Sequence, residues 1–346
     1  MDTLLRRRLA HRHSQGSRMD FRPVERTSQA FQQSVTSEEV QGVCRRVFGS
    51  DARVVSAVEL GSGMYNNTYR VAVAGQERPV TLRVAPEPGR QFRSERELMR
   101  NEYASLPYLA VISSLLPRII AVDWTHEVIG RDWMVQSFLD GVPAPERLGD
   151  YPRTLWPTFF RQMGAIARQV HAVRGPHFGP VTGPAYGTWS EAVIASLEDI
   201  AADLDGAGLD AADVRKVAAV VGHNHAILNE VTEPRMTLGD FWTLNVMLHG
   251  SAPEPTITGV FDTDRTWWAD PASDWTIQMA TAKADEREAF WESYGPLHRS
   301  PSAVWRARIY EARHLGAIRL ERYRLGKEDA VAESYGAMAD LLAHLN

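Results

Sequence analysis

The sequence predicts an α+β protein of two lobes: a small, mostly antiparallel β-rich N-lobe with one main helix, then a larger, mainly α-helical C-lobe. Three observations predict it. Before about residue 140, short apolar runs are punctuated by Gly, Asp and Asn, whereas beyond Pro143 apolar residues recur at steps of three and four. Between these textures lies Asp140-Gly141-Val142-Pro143-Ala144-Pro145, a Gly/Pro-rich link. A chain of 346 residues also divides more comfortably into two lobes than it fills one core. The expected parts are a flexible arm over 1–35, the N-lobe over 36–140 and the C-lobe over 141–346.

The elements follow in order. Ser37 offers a helix N-cap, and Val40, Val43, Cys44, Val47 and Phe48 form an apolar stripe that Gly49 ends. Strands are expected at 54–60, 68–73 and 79–84, the last two joined as a hairpin by Ala74-Gly75. Ser94 with Glu97 three residues on has the form of a capping box and should open a helix over 94–109. Strands at 118–123 and 132–138 close the N-lobe. The C-lobe reads as helices at 159–172, 189–204 and 214–231, a strand pair at 246–248 and 257–261, and helices again from about 274. No internal repeat interrupts this order.

Composition removes several function classes. The net charge of −5 lacks the basic footprint of a nucleic-acid binder. Cys44 is the only cysteine, which excludes an internal disulfide or a cysteine metal cluster. No run approaches the ~18 apolar residues of a membrane span. Arg6, Arg7, Arg8 and Arg12 have no apolar run behind them, unlike a secretory signal, so a tail or a true start at Met19 is expected. The expected place is the cytoplasm. Lysine occurs only at 216, 283 and 327, so any cation the N-lobe offers a ligand must be arginine or histidine.

Chemistry concentrates in Leu238-Gly239-Asp240-Phe241-Trp242-Thr243-Leu244-Asn245, followed by Gly259-Val260-Phe261-Asp262. An Asp and an Asn five apart on one loop can place a base and a metal ligand together. A second Asp at the end of a nearby strand can complete an oxygen site for a hard cation such as Mg²⁺. Those are the demands of phosphoryl transfer. Read singly, each residue is more simply a turn residue bonding its own backbone; their order around a strand pair favours the chemical reading. Leu60-Gly61-Ser62-Gly63-Met64-Tyr65-Asn66-Asn67-Thr68-Tyr69 lies between two expected strands, where glycines let backbone N–H groups approach phosphate. A plain hairpin turn is the bland alternative.

These motifs resemble those of the aminoglycoside phosphotransferase and choline kinase family, over roughly residues 40–340. The resemblance implies a bilobal protein-kinase-like fold and a small-molecule kinase that uses Mg²⁺ and either ATP or GTP as phosphoryl donor. It implies Asp240 as catalytic base, Asn245 and Asp262 as Mg²⁺ ligands, and Gly61, Ser62 and Gly63 as the phosphate-covering loop. Ala269-Asp270-Pro271-Ala272-Ser273-Asp274 is similar to the family's Asp-Pro-x-x-Asp run, so Asp274 should cap a helix and brace the catalytic loop. Gln136, Ser137 and Phe138 would stand beside the adenine. The family's usual His before Gly-Asp is Leu238 here, a change of packing rather than of chemistry. The family's strand lysine is absent, and Arg83 stands in the matching place.

Arg83 also has a rationale of its own. Leu82 and Val84 point to one face of a strand and Arg83 to the other. On the next helix Glu102 shares an apolar stripe with Leu98, Leu106 and Leu109, and a carboxylate there wants a cation. Arg83 with Glu102 is the expected pair. Glu95 is the rival partner, placed by expectation in the first helical turn. His171 is expected to be packed rather than catalytic, and Trp267, Trp268, Trp275 and Trp291 mostly core, with one or two walling the acceptor. The acids Asp270, Asp285, Glu286, Glu288 and Glu292 read as a solvated helix face, with attraction of a cationic acceptor as the sharper alternative.

Only seven residues separate Asp262 from Asp270, too few for the activation segment of a protein kinase. The acceptor should therefore be a hydroxyl of a small molecule, with neither nucleic acid nor membrane as partner. An antibiotic is one expectation, a sugar, amino alcohol or nucleoside another. A nucleotide-binding pseudokinase is the alternative from a different class, supported only by Leu238 and Arg83.

Overall fold

The computed structural model describes residues 19–61 and 63–345, and the side chains of 284 and 285 stand outside that description. The chain divides into two units, Met1–Arg90 with Arg118–Phe138, and Gln91–Pro117 with Leu139–Asn346. The segment 91–117, expected in the β-rich lobe, thus groups with the helical unit.

In the first unit, helix α1 (Ser37–Phe48) starts from a capping box one residue earlier than expected. Thr36 accepts from the Glu39 N–H, and Glu39 reaches back to the Thr36 N–H at 2.7 Å. The helix packs Val40, Val43 and Cys44 onto the sheet. Burial pushes the Cys44 thiol up to about 12, so it remains a protonated apolar residue.

Strands β1 (Asp20–Arg22), β2 (Val54–Glu59), β3 (Asn67–Val73), β4 (Val80–Val84), β5 (Ile119–Asp123) and β6 (Trp133–Ser137) form one sheet in the order β1-β2-β3-β4-β6-β5. Every pairing is antiparallel except β1 with β2. The strand β1 corrects the expectation of a flexible arm for its part of 19–35; the rest of that arm, 1–18, lies outside the described residues. Buried Glu59 holds this stretch, accepting from Val24 N–H at 2.8 Å and pairing with Arg26 at 2.7 Å, a contact between residues too distant in sequence to read from local pattern.

The second unit begins with another correction. Ser94 does not open a helix. Its N–H and hydroxyl both bond to Asp203, each at 3.2 Å, so only a short 3₁₀ turn forms at Arg93–Glu95. Helix α2 (Leu98–Ser105) starts after Glu97, whose backbone is left-handed at φ 58°. A second 3₁₀ run, Tyr108–Leu115, continues where the expected helix would have ended.

Beyond the link come helices α3 (Trp156–His171), α4 (Trp189–Gly206) and α5 (Ala212–His223). Later follow α6 (Trp275–Ala282), α7 (Glu288–Tyr294), α8 (Pro301–Arg324) and α9 (Glu328–Ala343). Short strands make two further sheets. One pairs β10 (Val246–Leu248) with β11 (Ile257–Val260) and β7 (Val142–Pro143); the other pairs β12 (Trp267–Ala269) with β9 (Arg235–Thr237) and β8 (Gly179–Pro180). Phe159, Met163, Ile166 and Val170 of α3 bury against Met236, Leu238, Phe241, Val246 and Val260, so one core anchors the strands on which the candidate site stands. Gly164 lets α3 and α7 touch: a Cβ there would lie 2.3 Å from the Phe290 carbonyl oxygen. A second core joins α4, α5, α8 and α9. Among the described residues, no helix is long and apolar enough to cross a membrane.

Candidate active site

Strand β9 delivers the chain to Leu238, Gly239 and Asp240. Gly239 has φ 77°, and a Cβ on it would stand 2.1 Å from the Arg265 carbonyl oxygen. Both facts demand glycine, because only it takes this conformation freely and admits so close a backbone. The loop is braced by the buried Asp274. One of its oxygens accepts from the Leu238 N–H at 2.8 Å and meets His171 Nε2 at 2.9 Å; the other accepts from the Thr276 N–H at 3.3 Å, capping α6. His171 Nδ1 contacts the Tyr294 hydroxyl at 2.8 Å. Thr276 adds a hydroxyl bond to the Phe241 carbonyl. Leu238 is 1% exposed and packs into the α3 core, which accounts for an apolar residue at this place.

Asn245 ends the loop. Its Nδ2 donates to the Asp240 carbonyl at 2.8 Å and to Asp240 Oδ2 at 3.1 Å. Its backbone carbonyl accepts from Phe261 N–H at 3.1 Å as Val246 pairs with Val260, so the β10–β11 ladder sets Asp262 beside Asn245. Asp262 has a left-handed backbone at φ 61°. Its carboxylate, with those of Glu102 and Asp264, forms a group whose oxygens lie within 4.8 Å of one another.

Asp240 is half-buried, and its carboxyl is pushed up to about 7. Burial is the largest cause; the Arg265 charge opposes it, and Asp262 and Glu321 add to it. For Arg265, burial works against the charge, yet Glu95, Asp264, Asp240 and Asp262 outweigh it and raise its pKa.

Two residues of this neighbourhood escaped sequence reasoning, and the surroundings of a third are corrected. Arg265 carries no local signal, being one arginine among many. Asn101, buried on α2, donates to the Asp264 and Thr266 carbonyls at 2.9 and 3.0 Å and so fixes the turn after Asp262. Glu95, expected to be stabilised by a helix dipole, instead accepts from Arg324 at 2.6 and 3.1 Å and lies 3.4 Å from Arg265. Asp270 is also corrected. It is buried, accepts from the Tyr310 hydroxyl at 2.7 Å and is no solvated attractor. The Asp285 side chain lies outside the described residues.

In the first unit, Arg83 is 5% exposed on β4, opposite Thr68 and Met134. Gly61 and Gly63 border the loop before β3, and the Gly63 carbonyl accepts from Gln32 at 3.1 Å. Ser62 lies outside the described residues. Gln136 is buried on β6, its Oε1 without a hydrogen-bond partner among the described residues. Phe138 has the Arg70 guanidinium 5.4 Å from its ring centre.

With this geometry in place, residues 56–308 match the sequence profile of the phosphotransferase enzyme family. The chain belongs to that family. No curated protein matches its sequence. Among solved structures it is similar to a thermostable mutant of aminoglycoside phosphotransferase APH(4)-Ia in apo form, at 18% identity and a TM-score of 0.61, over 88% of this chain and 98% of that one. The ternary complex of such a mutant with AMP-PNP and hygromycin B gives 18% and 0.59, over 88% and 98%. Wild-type aminoglycoside 2′-phosphotransferase-IIIa with GDP gives 15% and 0.60, over 89% and 99%. Likeness at this identity establishes the fold, which is protein-kinase-like, and membership of the family makes the chain a small-molecule kinase with a nucleotide as donor.

Proposed function

We propose that this phosphotransferase moves the γ-phosphoryl group of ATP or GTP to a hydroxyl of a small molecule in the cytoplasm, with Asp240 as base and Asn245 and Asp262 as ligands of Mg²⁺. The observation that carries the reading is the coupling of the three: Asn245 is bonded to Asp240 at 3.1 Å and tied by its carbonyl to Phe261, the residue before Asp262. Asn245 spends its amide hydrogens on Asp240, which leaves its Oδ1 as the acceptor atom. An amide oxygen beside a carboxylate suits a hard cation. Bound there, Mg²⁺ would neutralise charge on the phosphate oxygens.

Asp240 holds the acceptor hydroxyl and takes its proton as the hydroxyl oxygen bonds to the γ-phosphorus. The bond from that phosphorus to the bridging oxygen breaks, and the nucleoside diphosphate leaves with the electron pair. A carboxyl raised to about 7 is matched to such work near neutrality. Arg83 and the backbone at Gly61, Ser62 and Gly63 would hold phosphates, and Gln136 and Phe138 would border the base. Arg83 stands on β4 in the place that the resemblance gives to the family's strand lysine, which supports that role.

The similar structures favour an antibiotic as acceptor, one of them holding hygromycin B. A metabolite is the second reading, favoured by the surroundings of Arg313 described below. Asp240→Ala is expected to lower acceptor-dependent ATP consumption by at least ~10²-fold. Unchanged turnover in that variant would remove Asp240 as base.

A further inference from the structure

The helix α8 carries several arginines, and three of them have carboxylate partners: Arg306 pairs with Glu230, Arg319 with Asp213 and Arg324 with Glu95. Arg313 differs. Its Nε donates to Ser196 Oγ of α4 at 2.7 Å, and its guanidinium lies 4.7 Å from the Trp267 ring centre. Among the described residues no carboxylate pairs with it. It is half-buried, and burial together with the Arg265 charge pushes its pKa down to about 10. A half-buried cation held through Nε by a hydroxyl and against a ring keeps its terminal nitrogens available to donate to an anion.

The Arg265 charge acts on both this guanidinium and the candidate base. Trp267 pairs with Thr237 across β9 and β12, and Thr237 precedes Asp240 by three residues, about 10 Å of extended chain. The neighbouring His314 stacks on Trp275 at 3.9 Å and 22°. Trp275 opens α6, whose next residue bonds the Phe241 carbonyl of the catalytic loop. His314 is held down to about 4 by burial and by Arg313, Arg322 and Arg265, so it is a neutral ring near pH 7. This part of the second unit therefore offers aromatic rings and a guanidinium with no carboxylate partner among the described residues. Glu321, two turns along α8, is the acid of that helix whose charge reaches Asp240.

We propose that the acceptor carries an anionic group, a carboxylate or phosphate, which Arg313 binds against Trp267 while the acceptor hydroxyl meets Asp240. The proposal rests on the kinase reading above and narrows it away from polycationic acceptors. Arg313 would supply a forked pair of N–H donors, the geometry suited to a carboxylate or phosphate.

The test screens ATP consumption over matched hydroxyl compounds: glucose against glucuronate, glycerol against glycerate, with hygromycin B as polycation. Anionic members are expected to be preferred. Arg313→Gln should raise their KM about 10- to 100-fold, the scale of one lost charge-assisted pair. Arg313→Lys should restore part of it. A preferred acceptor without an anion, or a KM within about twofold in Arg313→Gln, overturns the proposal. If turnover of the neutral compounds is lost in Asp240→Ala, the kinase reading survives that failure. Should no compound turn over, benzoate is titrated into the protein with AMP-PNP and Mg²⁺ and read by tryptophan fluorescence. Saturation in the wild type that vanishes in Arg313→Gln supports the site, and no saturation in the wild type also overturns it.

Discussion

Two carboxylates at the centre of the site carry opposite thermodynamic signs. Asp274 is fully engaged, with the Leu238 and Thr276 N–H groups and His171 on its two oxygens. Asp274→Ala would leave those donors buried without an acceptor, at about 1–3 kcal/mol for each lost bond. A fall of at least about 3 kcal/mol in unfolding free energy by urea denaturation is expected, with loss of activity as the loop slackens. Asp240 is the reverse case. Its folded carboxyl, raised to about 7, keeps its proton where the unfolded chain, near 3.9, has released it. The folded state therefore binds more protons between about pH 4 and 7, and stability from this group falls as pH rises through that window. Asp240→Asn is neutral throughout and should be more stable than the wild type at pH 8, on the order of 1–3 kcal/mol, with the difference vanishing near pH 4. Melting of both proteins without ligand at the two pH values measures it. Equal pH slopes would mean the carboxyl is not raised.

The elements that carry the site are short, and their authority comes from contacts rather than length. Strand β9 has three residues, and the loop after it is placed by Gly239 against Arg265. Gly239→Ala brings both a left-handed strain and a backbone clash, so it should destabilise by about 2 kcal/mol or more and displace Asp240. A lower kcat at little-changed nucleotide affinity is the expected signature, read from initial rates and nucleotide titration. This scale also shows what a sequence can disclose. The strand pair around Asn245 and Asp262 was legible because spacing alone links a loop, a hairpin and a carboxylate. The helix at 94–109 was misread because a capping box is a local pattern, and Asp203, more than a hundred residues away, takes the Ser94 donors first. The strand β1 was hidden for the same reason: its anchor, Glu59, lies in another strand. Arg265 and Arg313 could not be singled out, because what marks them is the presence or absence of distant charges.

At the scale of the whole chain, three separate cores support two units, and a ligand that binds only the native protein must stabilise it by mass action. Nucleotide at 100 times its dissociation constant adds about 2.7 kcal/mol. For a chain of this size that is a rise of about 5 °C in melting temperature. If Asn245 and Asp262 hold Mg²⁺, the rise with AMP-PNP should depend on the ion and shrink sharply in EDTA. Asp262→Asn keeps the shape of the side chain but removes a charged oxygen that a hard cation requires. This variant should retain the small shift seen without Mg²⁺ and lose the increment Mg²⁺ adds, while Asp274→Asn, acting through the loop, should lower the melting temperature itself and keep a Mg²⁺ increment. Scanning calorimetry of the three proteins with AMP-PNP, in Mg²⁺ and in EDTA, separates the two effects. A wild-type Mg²⁺ increment in Asp262→Asn would place the metal on other oxygens, among which Glu102 and Asp264 offer carboxylates grouped with that residue.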